Sequence, residues 1–170
     1  MACLCVEDKA IPSSPGTYAL ILFCPHTGRI QVGKLGIFNI RPGWYAYVGS
    51  AFGPGGLRAR CRRHLRQSIR PHWHIDYLKT VALLHTIWFN HDTVPREHPW
   101  AEIIGGLTDA SIPIPRFGSS GCTCPSHLFR FPGRPSFSRF RRAVRRRFVV
   151  HGPIMALMEK PSRQQRENAL

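Results

Sequence analysis

Arg60 and His64 stand four residues apart in GLRARCRRHLRQ, beside the apolar series Leu57, Cys61 and Leu65. On a helix that spacing puts a guanidinium and an imidazole together at the rim of the buried face, where both could act on one bound phosphate. Arg58, Arg62 and Arg66 fall on the other flank and form a stripe able to follow a phosphate backbone. The run GSAFGPGG leads into this helix, but it is not a nucleotide loop. Leu57 and Arg58 follow Gly56 where a Walker loop has Lys and Ser/Thr, and the dinucleotide glycine spacing is missing. Gly55 and Gly56 are instead expected to leave the first helical N–H groups open to a phosphate.

Cys122, Cys124 and His127 form a second constellation, C-x-C-x-x-H, for which His72 or His74 could supply a fourth metal ligand. Structural zinc sites usually space their first cysteines by two to four residues and pair them twice, so zinc is not expected. The bland reading makes these cysteines small buried hydrophobes and His127 a hydrogen-bonded neighbour of the last strand.

These groups need elements to position them. TYALILFC, RIQVGKL, GIFNI and WYAYVGS read as four strands, and residues 57–67 as an amphipathic helix. HWHIDYLKT fits helix or strand, LLHTIWFN is a strand, PWAEIIGGL a helix opened by Pro99, and HLFRF a last strand. Connections too short for helical crossovers imply an α+β fold with a small, mainly antiparallel sheet flanked by helices. Residues 1–14 read as a leader, 15–131 as the domain, and 132–170 as a basic tail, partly helical or flexible, with SRFRRAVRRRFVV as its helix.

The 170 residues carry 20 Arg and 4 Lys against 9 acids, a formal charge of +15 that a polyanion would relieve. Arginine in place of lysine favours bidentate phosphate contacts. The opening MACLCVEDKA lacks a basic or apolar signal region, and no apolar run reaches about 18 residues, so no membrane association is expected. The six cysteines are expected to be reduced, in a cytoplasmic setting. The oligomeric state is not legible.

Gly16-Thr17-Tyr18, then Tyr47-Val48-Gly49, then L-x-x-R-x-x-x-H as Leu57, Arg60 and His64, resembles the GIY-YIG nuclease superfamily. The longer strings GWYAYVGSA, GLRAR, RRHLR, HWHIDYL and FGSSGCTCPSHLF are similar to the GIY-YIG-like domain found alone or fused to endonuclease III-type glycosylases. The resemblance covers residues 15–131. Twenty-eight residues separate Tyr18 from Tyr47, room for an extra hairpin between the two motifs, and Gly121 stands where an acid is expected before the first cysteine.

The resemblance implies a DNA endonuclease, structure-selective or repair-associated, using one Mg²⁺ or Mn²⁺, with RNA as another substrate and a functional association with such a glycosylase. It implies that Tyr18 and Tyr47 are the motif tyrosines, Arg60 the transition-state arginine, His64 its helical neighbour, and a glutamate on a later helix the metal ligand. Residues 14–130 hold only Asp76, Asp92, Glu97, Glu102 and Asp109. Glu102, inside the helix expected from Pro99, is chosen; Asp76, beside His72 and His74, is the second choice, orienting a histidine or reaching the metal through water. The other class of reading is a nucleic-acid-binding module that keeps the fold without cleaving.

Overall fold

The computed structural model describes residues 11–66 and 70–158. β1 (Thr17–Cys24), β2 (Gly28–Val32), β3 (Gly36–Ile40) and β4 (Gly43–Ser50) come first, then α1 (Gly56–Leu65), α2 (His74–Leu78), β5 (Leu83–Asn90) and α3 (Glu97–Gly105). β6 (Leu128–Phe131), α4 (Phe137–Arg147) and β7 (Met155–Met158) follow. The main sheet has the order β6-β4-β1-β5-β7, with every neighbouring pair antiparallel. β2 and β3 pair only with each other, as the hairpin expected between the two motifs. The fold is α+β, as the short connections imply.

β1 is central, and its nearly unbroken apolar run reflects burial on both faces. Tyr18, Leu20 and Leu22 point into one core with Leu57 and Cys61 of α1 and Ile75 and Leu78 of α2. Ala19 and Ile21, one residue out of phase, point into a second core with Trp100 and Ile104 of α3 and Phe140 and Val144 of α4. The sheet is thus covered on both sides, and the two cores meet only through its strands.

The domain is longer at both ends than its composition implies. Ile11 is core, and the Ser14 and Pro12 carbonyls accept from the Leu57 and Arg58 N–H groups, each at 3.0 Å. Residues 11–14 therefore belong to the domain and not to a leader. The basic tail is likewise integral as far as the structure describes it: Trp88 stacks on Phe140 at 5.1 Å, and β7 extends the sheet beside β5. Phe140 and Val144, one turn apart, anchor α4 while Arg139, Arg142, Arg145, Arg146 and Arg147 face outward. Ser136 caps this helix by accepting from the Arg139 N–H at 3.3 Å. Cys3, Cys5, Gln67 and the end of the tail from 159 lie outside the described residues.

Candidate active site and metal cluster

Antiparallel register brings the two motif tyrosines together. Tyr18 lies opposite Gly49, and Tyr47 opposite Leu20, so both side chains leave the same face of the sheet. A Cβ on Gly49 would fall 2.4 Å from the Tyr18 ring, so the glycine of the second triplet makes the room in which Tyr18 lies. Gly118 does the same for Tyr47: a Cβ there would meet its ring at 2.7 Å.

α1 supplies the second wall. His64 is buried and its Nε2 lies 2.8 Å from the Tyr18 hydroxyl. Burial, helped by the nearby Lys79 ammonium, lowers the imidazole pKa to about 3, so His64 is neutral at physiological pH. Its Nδ1 is buried without a hydrogen-bond partner. Burial pushes the Tyr18 hydroxyl well above the ordinary tyrosine pKa, and the neighbouring Tyr47 adds to this while Arg60 opposes it. Tyr47 is only half-buried by surface, but crowding around its hydroxyl also raises its pKa, followed by the charges of Glu97 and Asp76. Arg60 packs its guanidinium 4.7 Å from the Trp73 ring centroid, a cation–π contact that fixes its direction.

Of the two carboxylates on α3, Glu97 and not Glu102 acts electrostatically on both tyrosines, as the smallest of the causes at Tyr18. α3 starts at Glu97, two residues before the expected start, with Pro99 as its third residue. Glu97 opens α3 and is close enough to both tyrosines to raise their pKa values. Glu102 lies one and a half turns further along, more than half exposed, and pairs with Arg147 of α4. Asp76 is committed elsewhere: it accepts from Arg63 and from the His72 and Trp73 N–H groups at 2.9–3.0 Å. Burial alone would raise its pKa, but these donors outweigh it and hold the carboxyl below its usual value. Asp92 pairs with Arg96, and Asp109 is exposed.

Other expected roles change with their surroundings. Arg58 donates through Nε to the Ile11 carbonyl at 2.8 Å, which takes it out of the stripe; Arg62 and Arg66 remain exposed. The α1 N-terminus is closed to phosphate, because Pro12 and Ser14 carbonyls occupy its donors and a Cβ on Gly56 would lie 2.2 Å from Ser13 O. Gly55, at φ 79°, serves only the turn into the helix. His74 accepts from the Gly118 N–H at 2.9 Å and packs on Phe117, pinning the loop before β6. His72 contributes only its backbone N–H, to Asp76.

Cys122, Cys124 and His127 do come together, and the fourth member is His98 of α3 in place of His72 or His74. One ligand atom from each lies within 4.8 Å of the others, a cluster that could hold a metal ion. Cys122 Sγ is 3.5 Å from His127 Nε2, and the His98 and His127 rings are 5.6 Å apart. Burial pushes the Cys124 thiol up to about 11, and the adjacent Cys122 adds to this. On its other side His127 Nδ1 lies 3.2 Å from Glu97 Oε1, close enough for an ion pair but off the line of a formed hydrogen bond. A groove of about 650 Å³ between α3 and the Cys124 segment flanks the cluster away from the tyrosines.

The family match covers residues 17–149, to the family described as Domain of unknown function DUF123. The chain belongs to this family. No curated protein and no solved structure matches it. The DUF123 match takes in both tyrosines, Glu97, the His/Cys cluster and α4, so the basic helix lies within the family's own span. Among the described residues no helix is long and apolar enough to cross a membrane. Glu97, one of the five candidate acids, falls outside the helix expected from Pro99, and no local spacing marks His98. The available signal was that proline is tolerated throughout the first turn, where N–H groups have no helical acceptor, so EHP could already be helix.

Proposed function

We propose that this domain is a metal-dependent endonuclease acting on DNA, with Tyr18, Tyr47, Arg60, His64 and Glu97 as its cleft. The observation that carries this reading is that antiparallel register puts Tyr18 and Tyr47 on one face of the sheet, with the Tyr18 hydroxyl 2.8 Å from His64 Nε2 on the helix that also carries Arg60. The resemblance of the two tyrosine triplets and the helix Arg/His pair to GIY-YIG nucleases supports it, as does the charge of +15.

With its proton on Nδ1, His64 accepts a hydrogen bond from the Tyr18 hydroxyl at Nε2, which leaves the Tyr18 oxygen lone pairs to accept a hydrogen bond from water and orient it. Arg60, held against Trp73, directs a planar fork at the non-bridging phosphate oxygens, whose charge grows in the transition state. Glu97 is the described acid that fits a hard Mg²⁺ or Mn²⁺ ion, which accepts a single carboxylate and keeps most of its waters. Such an ion supplies positive charge that acidifies water and offsets charge on the phosphate. The raised tyrosine pKa values favour the other reading, a nucleic-acid-binding module without cleavage, because neither hydroxyl ionises readily on its own.

Incubation with branched, nicked and plain duplex DNA, and with RNA, in Mg²⁺ or Mn²⁺ separates the two. Expected is metal-dependent cutting that falls by about 100-fold or more in Arg60→Ala and Glu97→Gln but persists in Glu102→Gln. Binding without cutting on every substrate would leave the non-catalytic module. Loss of cutting in Glu102→Gln, with Glu97→Gln unaffected, would overturn the choice of carboxylate. Stimulation by an endonuclease III-type glycosylase on damaged duplex is the expected sign of a repair association.

A further inference from the structure

We infer that His98, Cys122, Cys124 and His127 bind one structural zinc ion that clamps the loop before β6 onto α3 and holds the Glu97 carboxylate in place. The zinc assignment is independent of the nuclease reading; only its consequence for Glu97 in the cleft rests on that reading.

Zinc bonds of about 2.0 Å to nitrogen and 2.3 Å to sulfur put neighbouring ligands of a tetrahedron roughly 3.3–3.8 Å apart. The Cys122–His127 edge, at 3.5 Å, already has that length, and all four ligand atoms lie within 4.8 Å of one another. Closing the set asks for a movement of about an ångström at its widest edge. The exposed His98 side chain and the half-buried cysteines are free of the tight core packing that would oppose it. Two thiolates and two imidazoles are borderline-soft donors that suit zinc and not Mg²⁺. Four protein ligands complete the tetrahedron and leave no open position, which marks a structural site.

The position makes mechanical sense. From Leu107 to His127 the chain runs between α3 and β6 with no helix or strand of its own, a length that a compact domain holds only with internal ties. Arg116, at φ 63°, donates through one guanidinium nitrogen to the Cys122 and Cys124 carbonyls at 2.7 and 3.0 Å, which presents both thiols from one turn. A metal bridging this turn to His98 would cross-link the loop to the first turn of α3. Metal on His127 Nε2 forces the ring proton to Nδ1, which faces Glu97 Oε1 at 3.2 Å. Metal-bound histidines characteristically give that second N–H to a carboxylate, and the pairing explains a buried Nδ1 that otherwise lacks a hydrogen bond.

The test loads the full chain with zinc, dialyses it against metal-free buffer and measures metal by mass spectrometry. About one zinc per chain is expected, and substoichiometric metal in His98→Ala and in the Cys122→Ser/Cys124→Ser double variant. His72→Ala and Cys61→Ala should retain the ion. Because the double variant could misfold, circular dichroism accompanies each measurement, and cobalt(II) loading of the native chain should give tetrahedral bands with thiolate charge transfer. A folded native chain that keeps no zinc, or a folded double variant that keeps it fully, overturns the site. Glu97→Gln should keep one zinc but bind it about 10-fold more weakly in competition with a chelating indicator. Unchanged affinity would overturn the link to Glu97. Cleavage enters none of these readouts, so the zinc site and the nuclease reading can fail separately.

Discussion

His64 is the residue whose environment departs furthest from what its position on a basic helix implies. Its pKa of about 3, against an ordinary value of 6.5, means that the folded protein refuses a proton the unfolded chain would accept. The sign follows: above pH 6.5 both states are neutral, and stability declines as the pH falls from 6.5 towards 3. One proton contributes a slope of about 1.4 kcal/mol per pH unit in that window. Urea unfolding of the native chain and of His64→Phe should therefore diverge with pH, the variant losing this part of the slope. Parallel curves across pH 4–7 would show that the imidazole is not buried neutral. The same burial keeps the Tyr18–His64 pair uncharged, so under the proposed function it orients water by hydrogen bonding and does not carry charge.

α4 is built like a surface helix of a core domain and not like a tail. Its charges are arranged around two buried side chains, Phe140 and Val144, and Phe140 meets Trp88 face to face and Trp100 edge to face. Phe140→Ala removes an aromatic ring from a site closed on all sides and should cost about 3–5 kcal/mol, read as a lower urea midpoint at unchanged slope. A cost under about 1 kcal/mol would mean that α4 is only loosely attached to the sheet. α3, packed against α4, carries three duties on one short segment: Trp100 faces the core, Glu102 pairs outward with Arg147, and Glu97 and His98 open it beside His127 and the cysteines.

Across the whole molecule the two basic helices lie on opposite sides of the sheet, because α1 packs into one core and α4 into the other. The charge of +15 is therefore not gathered on the cleft alone. Arg142 and Arg146 are exposed on α4, across the sheet from Tyr18 and Tyr47, so under the proposed function they would serve DNA binding and not the chemistry. Replacing both with alanine should weaken DNA affinity and flatten its log–log salt dependence by up to about 0.9 per lost phosphate contact, while cleavage at saturating DNA is unchanged. A fall in the saturated rate would put α4 at the cleft instead.

Much of this protein is set by local pattern. The apolar runs of β1 and β5, the period of α1, the hairpin between the tyrosines and the helix in the basic segment all follow from short-range spacing, and the structure has each of them. The antiparallel sheet follows from connection lengths. What tertiary structure alone decides is which groups meet and which are already taken. Pro12 and Ser14 close the helix end left open by Gly55 and Gly56, and Ile11 takes Arg58 from the stripe, through contacts more than 40 residues apart in sequence. The helix start, two residues earlier than expected, takes Glu97 into α3, and because residues five apart on a helix face different ways Glu97 meets His127 while Glu102 pairs with Arg147. His98 joins Cys122, Cys124 and His127 across a long loop, so no local spacing could reveal the fourth ligand. Residue types and periodicity determine which chemistry the chain can hold; the packing of the loop and of α3 against the sheet decides where it is assembled, since long-range contacts leave no periodic trace.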